Sequence, residues 1–152
     1  MRKPTCRCAQ NFEVVQVRAE EYARVKSILN RGRHPTFIGR NTIHNYVKNG
    51  GVFVFRCNGM DVACAVVNPK TNTLMVLNVL PEHRAHGLGS AILSYMQANF
   101  ARVLESAVPF FERNGYRSVG ALKRGNKLNT QVMIKASLIP LAGRMKDIFS
   151  GD

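Results

Sequence analysis

The sequence predicts an α/β fold, a mixed and mostly antiparallel sheet of about six or seven strands flanked by about four helices. Three observations predict it. Short apolar segments separated by Asn-Gly and Pro-Lys-Thr-Asn turns fill residues 51–80 and read as an antiparallel meander. Segments with apolar residues at helical spacing stand on both sides of that meander. A glycine-bearing turn then joins the last meander strand directly to a helix, in VLPEHRAHGLGSAILSYM at residues 79–96.

Each element has its own warrant. FEVVQVR, residues 12–18, reads as the first strand. AEEYARVKSILN, 19–30, places Tyr22, Val25, Ile28 and Leu29 on one helical face. RGRHP breaks that helix, and TFIGRNTIHNYVKNG, 36–50, reads as a second one stopped by Asn-Gly-Gly. GVFVFRC and VACAVVN flank the hairpin turn NGMD. TLMVLNVL, 73–80, is apolar on both faces and so reads as a central strand. Behind the glycine turn, Leu88, Ala91, Ile92, Tyr95, Met96 and Phe100 repeat at helical spacing. ARVLESAV, 101–108, is strand-like, and PFFERNG reads as a short helix from Pro109 to Gly115. YRSVGALK and TQVMIKASL read as two final strands joined by the basic turn RGNKLN. The expected organisation is an N-terminal extension over 1–11, one domain over 12–138 and a C-terminal tail over 139–152.

Composition narrows the function classes. No apolar run approaches the ~18 residues of a membrane span, and the start MRKPTCRCAQNFEV is basic but lacks the apolar stretch of a signal peptide. A cytoplasmic, soluble protein with no membrane partner is expected. Cys6 and Cys8 fall in a segment read as loose, whereas Cys57 and Cys64 fall in strands. Free thiols are the expectation, because a zinc site would need ligands gathered from distant segments; no metal is expected. The net charge of +13 comes from 22 Lys and Arg spread along the chain against nine Asp and Glu. Such a field attracts polyanions and anionic cofactors.

The glycine turn has two readings. It is an ordinary strand-to-helix connection, or it holds an anion. A helix start leaves backbone N–H groups without partners and carries partial positive charge, and an anion there satisfies both. Gly87 and Gly89 lack Cβ atoms, so a diphosphate can approach the backbone, and Arg84 and His86 add charge or donors. A dinucleotide site fits poorly: it needs G-x-G-x-x-G after the first strand of a βαβ unit, and this turn follows antiparallel hairpins.

The segment RAHGLG matches the R/Q-x-x-G-x-G/A signature of the GNAT superfamily of N-acetyltransferases. NVLPEHR before it resembles that family's strand and loop, and SAILSYM after it resembles the helix. FFERNGY, 110–116, resembles the second signature, usually aromatic-Tyr-Glu-Lys/Arg-x-Gly-aromatic, and VMIKASL resembles the common last strand. The resemblance spans about residues 12–138 in the right element order, and the expected fold is accordingly GNAT-like. It implies acetyl-CoA as cofactor. Backbone N–H groups of Arg84, Ala85, His86, Gly87, Leu88, Gly89 and Ser90 would hold the coenzyme A pyrophosphate. The strand edge at Leu77, Asn78 and Val79 would pair with the pantetheine arm, and the Val79 N–H would face the thioester carbonyl. Arg113 would reach a coenzyme A phosphate, and Phe111 would lie in the cofactor site.

Acetyl transfer also needs a deprotonated amine. A lysine-like amine costs about 4.6 kcal/mol to free at pH 7, so a base or a water chain is useful. Glu105 is the first candidate base, at the end of the strand that enters the acceptor side in this family; His44 and Asp61 are further candidates. The competing reading is a solvated strand residue for Glu105 and a structural or surface residue for His44 and Asp61, which are the weaker candidates. Phe111 stands where the family usually has a general-acid Tyr, and a phenyl ring cannot give a proton. Tyr116 matches the family's core aromatic instead. The leading expectation is therefore an acetyl-CoA-dependent N-acetyltransferase of primary amines, with a protein, a small amine or aminoacyl-tRNA as acceptor. The alternative is a catalytically weakened binding module on the same fold. A plain nucleic-acid-binding module lacks any RRM, KH, zinc-finger or helix-turn-helix pattern. The charge points to an acceptor or partner that is acidic overall, a tRNA or an acidic protein, with Arg31, Arg33, Arg40, Lys123, Arg124 and Lys127 as the candidate surface. Oligomeric state is open, a homodimer being one option.

Overall fold

The computed structural model of the protein describes residues 8–32, 39–122 and 130–139. Seven strands form one sheet in the order β1-β2-β3-β4-β5-β7-β6. The strands are β1 (Glu13–Gln16), β2 (Val52–Cys57), β3 (Met60–Asn68), β4 (Thr73–Val79), β5 (Phe100–Leu104), β6 (Tyr116–Leu122) and β7 (Thr130–Lys135). The helices are α1 (Tyr22–Gly32), α2 (Arg40–Lys48), α3 (Leu88–Met96) and α4 (Val108–Arg113). All neighbouring pairs are antiparallel except β4 with β5. The mixed, mostly antiparallel sheet and the four helices agree with the expectation.

The meander forms as its turns dictate. Asn58 and Gly59 both take left-handed backbone, φ 53° and 78°, and close a two-residue hairpin between Cys57 and Met60. Two cores lie on opposite faces of the sheet. One gathers Leu88, Ile92 and Leu93 of α3 with Phe111 and Tyr116. The other gathers Val25 and Ile28 of α1, Ile43 and Val47 of α2, and Cys64, Val66 and Val76 of the sheet. The apolar face expected on residues 19–30 is the one that packs there.

Several boundaries differ. Residues 19–21 are a 3-10 turn, and α1 begins at Tyr22. Helix α2 starts only at Arg40, and α3 stops at Met96, where Gln97 turns left-handed at φ 50°. The segment read as strand over 101–108 splits. Strand β5 ends at Leu104, a 3-10 turn takes Glu105–Ala107, and α4 follows with Pro109 in its first turn. The alternation of LESAV mimics a strand, but the proline sets up a helix start.

The thiol expectation is overturned for two of the four cysteines. Cys8 and Cys57 form a disulfide across a sequence separation of 49, and both are buried. The bond seats Cys8 in the core and so ties the described end of the N-terminal segment to the sheet. It also removes the support that free thiols gave to a cytoplasmic location, since disulfides persist in oxidising compartments. Cys64 is a free, fully buried thiol, pushed up by desolvation to about 12. Cys6 lies outside the described residues. Among the described residues no helix is long and apolar enough to cross a membrane.

Candidate functional site

Strands β4 and β5 pair only at Thr73 with Phe100 and Leu74 with Ala101. Beyond that point they separate, and a cleft of about 900 Å³ opens between them. Its walls are residues 74–79 of β4, residues 102–104 of β5, the glycine turn before α3, and Phe110, Phe111, Arg113 and Asn114 of the α4 region. One site thus receives a strand edge, a helix N-terminus and an aromatic pair.

The strand edge is chemically open. Successive N–H groups along a strand point to opposite edges. The Leu80 N–H donates to the Val62 carbonyl on the β3 side at 2.9 Å. The Val79 N–H therefore faces the cleft. The Val79 carbonyl on that edge accepts from Arg84 Nε at 2.8 Å, so this side chain closes the top of the edge.

The glycine turn supplies donors. Ala85 and Gly87 are left-handed, at φ 64° and 80°, and Gly87 is the N-cap of α3. The Arg84 N–H donates to the Pro81 carbonyl at 3.2 Å, which takes it out of the expected cradle. Among the described residues, the N–H groups of Ala85 to Ser90 have no backbone acceptor. A Cβ on Gly89 would sit 3.3 Å from the Phe110 ring, tighter than an ordinary contact, so glycine lets the turn lie against the aromatic wall without a shift of that ring. Above Gly87 there is room: the nearest atom to an added Cβ is the Ala9 methyl at 3.9 Å. The cradle, the open edge and the cationic lining of Arg84, Arg102 and Arg113 fit a diphosphate joined to an extended, amide-bearing arm.

The structure brings together most of the residues singled out from sequence. Leu77, Asn78, Val79, Arg84, Ala85, Gly87, Gly89, Ser90, Phe111 and Arg113 all line the cleft. Leu88 is buried in the core beneath the turn, and His86 is exposed outside the lining. Glu105 is exposed and is not among the lining residues, although Leu104 and Ser106 on either side of it are. His44 stacks on Tyr22 with ring centroids 3.9 Å apart, on the α1–α2 side. Asp61 is held by Arg24 through two hydrogen bonds at 2.7 and 2.9 Å, and this pairing lowers its pKa. Neither lines the cleft. Arg31 pairs with Glu82 at 3.1 Å on the exposed surface. Arg33, Lys123, Arg124 and Lys127 lie outside the described residues, and only the backbone of Arg40, at the start of α2, is described.

Phe111 is buried between Phe110 and Tyr116, edge-on to both. The Tyr116 hydroxyl donates to the Ala98 carbonyl within the core, which agrees with its reading as a packing aromatic. Arg102, Ser106 and Phe110 line the cleft and were missed as site residues. Phe110 had a signal in the doubled aromatic of FFERNGY; for Arg102 and Ser106 no spacing gave one.

Fold and site together define an α/β protein built to hold an anionic, extended ligand between splayed strands. Residues 48–118 match the family model of the acetyltransferase (GNAT) domain. No curated protein has a matching sequence. Solved structures share the fold. Arabidopsis thaliana Naa50, in complex with the bisubstrate analogue CoA-Ac-MVNAL, is 16% identical with a TM-score of 0.62, over 80% of this chain and 96% of that one. The Escherichia coli ribosomal-protein-S18-alanine N-acetyltransferase is 17% identical with a TM-score of 0.61, over 81% and 92%. The Drosophila melanogaster polyamine N-acetyltransferase is 14% identical with a TM-score of 0.60, over 82% and 99%. At these identities the likeness is one of fold.

Proposed function

We propose that the chain is an acetyl-CoA-dependent N-acetyltransferase that acts on a primary amine. The observation that carries this reading is the separation of β4 from β5 beyond Leu74, directly above turn N–H groups that have no backbone acceptor among the described residues. Ala85 to Ser90 would hold the diphosphate, with Arg113 beside them. The edge at Leu77 and Val79 would pair with the pantetheine amides. The Val79 N–H would stabilise negative charge developing on the thioester oxygen. The N–C bond to the acetyl carbon forms as the C–S bond breaks, the amine proton leaves to water, and the thiolate takes a proton from water. With a reference thiol pKa near 8.5, thiolate is a tolerable leaving group without a protein acid, which accommodates Phe111. With Glu105 outside the lining, water is the favoured route for the amine proton.

The test is thermal melting with acetyl-CoA. At a hundredfold excess over Kd, binding adds about 2.7 kcal/mol, or roughly 5–11 °C at this chain length. No shift means the cofactor assignment is wrong.

The second reading, a binding module with weakened catalysis, draws on Phe111 and on the tied Tyr116 hydroxyl. Cofactor binding without turnover on any amine would favour it. In either reading the net charge of +13 favours an acidic acceptor or partner, a tRNA or an acidic protein. Titrations of both at two salt concentrations test this, because polyanion binding weakens steeply with salt.

A further inference from the structure

We infer that Asn78 recognises the acceptor, and that the acceptor is an α-amino amide, the free N-terminus of a peptide, rather than an alkylamine or polyamine. This rests on the transferase reading and deepens it.

Asn78 sits in β4 opposite Cys64 of β3, and residues opposed in an antiparallel pair share a face. Cys64 belongs to the core under α1 and α2, as do Val76 and Leu80 on either side of Asn78. The Asn78 side chain therefore stands on that face. The glycine turn and Phe110 pack with the opposite face. Acetyl-CoA bound at the turn reaches the Asn78 face only by passing between the splayed strands. The Asn78 carboxamide is thus on the far side of the gap, where the acceptor must meet the acetyl group.

The carboxamide is also unsatisfied. Asn78 is 1% exposed and belongs to the cleft wall, yet neither Oδ1 nor Nδ2 has a hydrogen-bond partner among the described residues. Buried polar groups are paired with few exceptions. A ligand that relieves both atoms must offer a donor and an acceptor side by side. An extended α-amino amide does so, with an N–H of its α-amine to Oδ1 and the C=O of the same residue to Nδ2. An alkylammonium offers donors alone and leaves Nδ2 unpaired.

Electrostatics agrees. Among the described residues the cleft lining holds three arginines and no carboxylate. A polyamine would enter with no counter-charge. With no base in the lining, an amine that frees itself is favoured. An α-amine titrates near 7.7–8.0 against about 10.4 for a lysine-type amine, so roughly 400 times more of it is neutral at pH 7.

The experiment compares L-alaninamide with n-propylamine as acceptors at equal free-amine concentration, using the full chain and acetyl-CoA. The expected result is a preference of at least about tenfold in kcat/KM for the amide. Asn78→Leu should abolish that preference by raising the alaninamide KM, leave acetyl-CoA affinity within about twofold, and leave the melting temperature of the free protein unchanged or higher. Asn78→Ala, with no bulk to misplace, should lose the preference as well. Equal use of both amines overturns this inference alone; acetyl-CoA binding without acetylation of either overturns it and also favours the binding-module reading. An Asn78→Leu protein that melts far lower, or one that loses acetyl-CoA affinity while keeping its alaninamide KM, overturns this inference alone as well. A chain that binds no acetyl-CoA overturns the transferase reading, and this inference with it.

Discussion

Reduction of the Cys8–Cys57 disulfide should cost the fold a large part of its stability. The bond closes a loop with a sequence separation of 49. In the chain-entropy account, a cross-link over about 50 residues removes about 4 kcal/mol of unfolded-state freedom. For a chain of this length each kcal/mol moves Tm by roughly 2–4 °C, so the expected drop is about 8–16 °C. The assay is thermal melting with and without a phosphine reductant. A Cys57→Ala control should melt low and ignore the reductant. Thiol counting on the denatured, unreduced protein should find two free thiols, Cys6 and Cys64. Four free thiols there, or a drop under about 3 °C, would refute the reasoning. So would an equal drop in the Cys57→Ala control, because the effect would then have another source.

Gly87→Glu should abolish the acetyl-CoA melting shift while the protein stays folded. The added carboxylate would stand in the diphosphate cradle, and the left-handed backbone at φ 80° costs roughly 1–2 kcal/mol with a Cβ; far-UV circular dichroism checks the fold. Asp61→Asn should lower stability at pH 7 by about 1 kcal/mol, as expected for a part-exposed bidentate pair with Arg24. Because pairing holds the Asp61 pKa below its ordinary value, that contribution is present above pH 4 or so and is lost as pH falls through the depressed folded value. Urea midpoints of the two proteins should accordingly converge in acid. Glu105→Gln should leave the rate–pH profile within about twofold, since Glu105 lies outside the cleft lining; a selective loss below the amine's pKa would restore it as the base. Cys64 should resist iodoacetamide at pH 8 in the native protein, because the thiolate needed for attack is suppressed by burial, as mass spectrometry of the labelled chain would show.

How far the sequence could be read depends on whether the signal is local. The hairpin at Asn58-Gly59 and the helical face of Val25 and Ile28 are set by neighbours in the chain, and both are found as expected. The glycine turn was equally legible, because left-handed backbone and close approach demand glycine at fixed places. The disulfide was not legible, since nothing near Cys8 names Cys57 as its partner. The end of β5 was misplaced because alternation in LESAV imitates a strand until Pro109 redirects it. Asn78 was recognised only as backbone. Its side chain gained meaning from the register with Cys64, a contact between residues 14 apart in sequence.

The separation of β4 from β5 has a consequence for the protein's behaviour before it meets its ligand. Past Leu74, the two facing borders are exposed strand edges in the middle of a seven-stranded sheet. Edges of this kind are templates for stray strands, and proteins usually blunt them with charge, proline or a covering element. Here Arg84 blunts one end through the Val79 carbonyl, and the rest of the lane is open. An extended segment of another chain can enter this lane. If the lane takes the pantetheine arm as proposed, the ligand would also guard newly made protein against self-association, and solubility should then follow the supply of coenzyme A.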